Sequence, residues 1–72
     1  MSEDPLIASL EAAVEARPDD LPLRLHLAGL LLAAGRTAEA ITHAARTLAD
    51  HPGDPAAQEL MQRALAPVPA FR

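Results

Sequence analysis

Hydrophobic positions recur along this chain at three- and four-residue intervals in four stretches, separated by turns rich in Pro, Gly and Asp. That spacing gathers apolar side chains on one face of an α-helix. In the first stretch Leu6, Ile7, Leu10, Ala13 and Val14 form the stripe, and Glu11 and Glu15 point away from it. Asp4 and Pro5 supply an acidic N-cap followed by a proline in the first turn. Pro18 predicts the stop, because the residue before a proline is biased out of the α region. The second stretch opens at Asp20, has Pro22 in its first turn and carries Leu23, Leu25, Leu27, Leu30, Leu31 and Leu32. It is apolar nearly all round, interrupted mainly by Arg24 and His26, and a helix of that kind normally packs between neighbours. Gly35 predicts a left-handed cap at its end. The third stretch is expected to start with Thr37 as N-cap and to end before Pro52, with Ala40, Ile41, Ala44, Ala45 and Leu48 as its stripe. Asp54 and Pro55 repeat the cap-plus-proline start, and Ala57, Leu60, Met61, Ala64 and Leu65 line the fourth.

Pro18 and Pro52 stand 34 residues apart, in the turns Arg17-Pro18-Asp19-Asp20 and His51-Pro52-Gly53-Asp54. A fixed period of this size is the signature of stacked helical repeats. Such units bury their apolar faces against one another, and their surfaces bind other chains. After the fourth helix, Pro67-Val68-Pro69 reads as an extended linker.

Composition narrows this picture. At 72 residues the chain is one small domain, and half its residues are hydrophobic. Phe71 is the sole aromatic, so the core must be aliphatic. Ala and Leu lose little freedom in helix, which favours an all-α fold. Ten acids against six arginines, with no lysine, give a net charge of −4. Without a basic patch, neither nucleic acid nor an anionic membrane is the expected partner. The absence of cysteine excludes disulfides and thiolate metal sites. The N-terminus lacks a basic signal-peptide region, and the longest apolar run, 27–34, is far too short to span a bilayer. A cytoplasmic location is therefore expected.

Residues 21–54 resemble a tetratricopeptide repeat. Leu27 and Ala28 match the family's Leu and small residue in the first helix, Gly35 its turn, Ala40 its close-packing alanine and Pro52 its terminator. Three departures stand out: the family's Trp falls on Arg24, its first-helix Tyr on Leu31 and its second-helix Phe on Ala44. The resemblance extends weakly in both directions. It implies an all-α, four-helix TPR-like stack, a right-handed solenoid fragment over residues 1–66. The divisions are a half repeat at 4–20, a full repeat at 21–54, a capping helix at 55–66 and a tail at 67–72. The run from Asp20 to Ala28, the Leu30-Leu31-Leu32-Ala33-Ala34-Gly35-Arg36 segment and the Pro-rich tail also look like the N-terminal repeat region of actinobacterial AAA+ ATPases. No Walker motif is present in this chain.

The resemblance implies a non-catalytic interaction module, with the first helices lining a concave groove for a peptide or helix. The matching positions are Pro22, Leu25, Gly29, Leu32 and Ala33, with Glu59 and Arg63 from the last helix. Leu25 and Leu32 could equally be core. The family's carboxylate clamp needs Lys and Asn, and this chain contains neither. The alternative is homo-oligomerisation, including a two-fold homodimer, through Leu6, Ile7 and Leu10. No cofactor and no metal site is expected. His26, His43 and His51 form no His-x3-His or Glu-x-x-His pair, and the only serines, Ser2 and Ser9, suggest no catalytic set. Glu59 and Arg63, spaced i,i+4, look like solvated charges whose pairing would gain only about 0.3–0.5 kcal/mol if exposed.

Overall fold

The computed structural model describes residues 4–66, which form four helices: α1 (Pro5–Ala16), α2 (Leu21–Ala33), α3 (Thr37–Asp50) and α4 (Pro55–Leu65). No strand occurs among the described residues. The Pro-rich tail and Phe71 lie outside them. Three starts follow one recipe. The carboxylates of Asp4, Asp20 and Asp54 accept from backbone N–H groups two or three residues on, at 2.9–3.1 Å. Each satisfies donors that the first helical turn would otherwise leave orphaned. The start of α3 differs from expectation. Thr37 is its first helical residue, the N-cap is Arg36, and no side chain caps it.

The ends show the same economy. Arg17 and His51, each preceding a proline, leave the helical region with φ near −135° and −138°. The N–H groups of Asp20 and Asp54 then donate to the carbonyls of Arg17 and His51, both at 3.0 Å. The two turns, 34 residues apart, are thus the same turn. Gly35 takes φ +84°. Its N–H donates to the Leu32 carbonyl and that of Arg36 to the Leu31 carbonyl, the paired bonds of a Schellman cap.

Helix α2 is the spine. It packs against α1, α3 and α4, whereas α1 contacts α2 alone and α4 contacts α3 and α2. Ile7, Val14, Leu27, Leu31 and Ala40 form one buried cluster, and Ala28, Ala44 and Leu60 a second. Alanines at 28, 40 and 44 are wholly buried, so the helices meet at close range. The nearly all-round apolar character of α2 is therefore explained by three packed neighbours, although Pro22, His26 and Ala33 stay exposed.

Several stripe assignments need correction. Ile7 is 1% exposed and belongs to the core, so it offers no surface for self-association. Leu6 turns outward at 52% exposure, and Leu65 at 63%. Ala45 is exposed; Thr47 is buried instead, its hydroxyl donating to the His43 carbonyl at 3.1 Å. That bond lets a polar residue occupy an apolar position. Glu11 does not merely face solvent. Its carboxylate takes Arg36 Nη2 at 3.3 Å, tying α1 to the α2–α3 turn. Arg36 also grips Glu39 at 2.7 and 2.9 Å, and this hydrogen bonding holds the Glu39 carboxyl below its ordinary range. Glu59 and Arg63 are exposed and form no ion pair with each other among the described residues.

Candidate functional site

The free face of α2 carries Pro22, Gly29 and Ala33 on one side, one turn or two apart. Pro22 and Ala33 are exposed and Gly29 is half-buried. A Cβ built on Gly29 would meet nothing within 4 Å, so the helix surface is open there. Leu25 and Leu32 flank this strip. Both are half-buried and pack against the cluster of Ala28, Ala44 and Leu60. They are therefore core wall and surface at once. The strip is a shallow apolar surface with leucines along the side toward α4.

Helix α4 brings Glu59 and Arg63, both exposed. They are the 34-residue counterparts of Leu25 and Gly29. The site thus joins an apolar strip on α2 to charged positions on α4, which packs beside it. Reasoning from the sequence missed His26. It is exposed, four residues after Pro22 and three before Gly29, and so shares their face. Helical spacing alone could have placed it there. It gives the strip a hydrogen-bonding group that the other α2 positions lack.

The second unanticipated feature is polar and buried. Arg24, at the family's Trp position, is 8% exposed. Its Nη2 donates to the Pro18 carbonyl at 3.2 Å, and its Nη1 lies 3.3 Å from His43 Nδ1 on α3. A guanidinium only donates, so His43 Nδ1 accepts and the ring is neutral. Burial first, then the Arg24 charge, lowers the His43 pKa; Arg46 adds to this, and Glu11 and Glu39 oppose it. One long side chain thus replaces a large aromatic, its methylenes packed and its head bonded. Gln58, 34 residues later, repeats the device: its amide donates to the Pro52 carbonyl at 2.8 Å. No sequence signal in the aromatic pattern of the family points to such a latch.

Other chemistry is thin. Among the described residues no three His, Asp or Glu side chains gather as metal ligands, and no helix is long and apolar enough to cross a membrane. A hollow at the α1–α2 turn is lined by Ala16, Arg17, Pro18, Asp19 and Asp20 and lies apart from the apolar strip.

Residues 7–64 match the family of the tetratricopeptide repeat. No curated protein and no solved structure matches the chain. The match covers all four helices in whole or large part, and the repeated turns and caps give it physical content. The chain belongs to the tetratricopeptide repeat family, a family of protein–protein interaction modules.

Proposed function

We propose that this chain is a recruitment module that takes an amphipathic helix or an extended apolar peptide on the α2 strip. The observation that carries this reading is the open apolar surface at Pro22, Gly29 and Ala33, edged by half-buried Leu25 and Leu32. An apolar peptide face would remove this surface from water, while His26, Glu59 and Arg63 supply polar contacts that fix its direction. In this reading residues 21–54 form the complete unit, with half units at 4–20 and 55–66. The module works without catalysis, in the cytoplasm, as the N-terminal domain of a larger protein such as an AAA+ ATPase. A protein is a better partner than nucleic acid or membrane, because ten acids oppose six arginines.

Gly29→Arg is the cleanest probe. The added side chain projects into open space, and replacing a helical glycine does not disturb the core. Glutamate at Leu25 or Leu32 would test the same surface but would also charge the wall of the second cluster. The chain is offered a displayed library of amphipathic-helical and extended apolar peptides. Peptides selected by the wild type should bind Gly29→Arg at least about tenfold more weakly, a loss near 1.4 kcal/mol. They should retain their affinity for Arg46→Gln, altered on exposed α3 surface. Equal binding to all three proteins would overturn the groove assignment.

A further inference from the structure

The 34-residue period relates α4 to α2 and α1 to α3. Two pairs of contacts confirm the register: Arg24 and Gln58 latch onto Pro18 and Pro52, and Asp20 and Asp54 cap the following helices. Against this register the exposed leucines acquire a meaning. Leu65 is the counterpart of Leu31, and Leu6 the counterpart of Ala40. Leu31 of α2 and Ala40 of α3 are wholly buried in one cluster, which Ile7 and Val14 of α1 also join. Their counterparts are the exposed large hydrophobics among the described residues. So α4 leaves open the face that α2 gives to α3, and α1 leaves open the face that α3 gives to α2.

We propose that the chain associates head to tail with copies of itself, the open face of α4 in one copy packing on the open face of α1 in the next, in the arrangement of α2 on α3. The counterparts of the two faces already form an interface within the chain, and Leu6, bulkier than Ala40, sets these helices further apart than α2 and α3. Leu65 meets Leu6 of the next copy, where Leu31 and Ala40 share a cluster. The hydrogen-bonded pair Arg24 and His43 maps onto Gln58 and Ser9, two neutral polar groups able to hydrogen-bond. No like charges are brought together by these pairs. The contact is heterologous, so it continues into an open array and does not close as a two-fold dimer. A sequence reading that paired Leu6, Ile7 and Leu10 across a two-fold axis is replaced by this one, since Ile7 is buried.

Sedimentation equilibrium on the 72-residue chain from about 10 µM to about 1 mM tests this, a range suited to an interface smaller than about 800 Å² per partner. The weight-average mass should climb past twice the 7.6 kDa monomer without levelling at the dimer. Leu6→Glu and Leu65→Glu should each be monomeric, because each blocks one end. Mixed together, they should form a discrete 1:1 dimer through the single intact pair of faces. Circular dichroism checks the helicity of both variants, and Leu6→Ser and Leu65→Ser replace them if a charge unwinds a terminal turn. A monomeric wild type throughout the range would overturn the proposal. So would a dimer plateau that survives Leu65→Glu, or a mixture of variants that stays monomeric.

Discussion

Gly29 and Gly35 lie six residues apart, and the same substitution should act on them with opposite signs. Beyond the adjoining backbone, neither has an atom within 4 Å of where a Cβ would stand, so contacts with other residues do not distinguish them. Backbone conformation does. Gly29 is helical, and Gly29→Ala should stabilise the fold by up to about 1 kcal/mol through helix propensity. Gly35 sits at φ +84°, and Gly35→Ala should destabilise it by roughly 1–2 kcal/mol. Denaturant melts of the two variants check both signs; equal shifts would show that the cap is not held in the left-handed region. His43 gives a second residue-scale expectation. Its pKa is lowered in the folded state, chiefly by burial and then by Arg24. The unfolded chain, titrating near the ordinary value of about 6.5, takes up the proton first. The stability contributed is full above that value and is lost as pH falls through the folded-state pKa. The thermal midpoint should therefore drop from pH 7.5 to pH 5.5. His43→Gln, which keeps an acceptor for Arg24 but does not titrate, should narrow that drop. An undiminished drop in the variant would remove His43 as its source.

At the scale of the element, the helices differ in how many neighbours hold them. Helix α2 has three, whereas α1 has α2 alone, with the Arg36–Glu11 pair as an added tether. Amide hydrogen exchange should reflect this: α2 exchanges last and α1 first among the helices, since local opening follows the number of buried contacts. Equal protection across all four would mean the stack opens as one unit. The elements were also the most legible part of the sequence. Caps at Asp4, Asp20 and Asp54, stops before Pro18 and Pro52, and the turn at Gly35 all act through neighbouring residues, so the sequence displays them directly. The start of α3 was misread because Thr37 has the right chemistry for a cap but falls one position inside the helix. Thr47 and Arg24 were harder to read. Their burial depends on a hydroxyl bonding back to the His43 carbonyl and a guanidinium reaching the Pro18 carbonyl, neither of which a hydrophobicity pattern records. Leu6 and Leu65 were misread for the opposite reason. They fit their stripes, and only the arrangement of neighbouring helices determines that no described helix covers them.

Over the whole molecule, an aliphatic core replaces the family's aromatics without breaking the architecture. Leu31 and Ala44 take two of the three positions and Arg24 the third. The candidate strip on α2 was half legible. The family resemblance pointed to its residues but not to His26, and Leu25 and Leu32 serve the core as well as the surface. The latches at Arg24 and Gln58 have a consequence for ancestry. Each spans six residues, and the aspartate caps span two or three. The bonds to the Pro18 and Pro52 carbonyls and the aspartate caps are therefore written within a short stretch of gene. A duplication or deletion of 34 codons carries its junction along with it and needs no compensating change elsewhere. Lineages of such chains can lengthen or shorten by whole units.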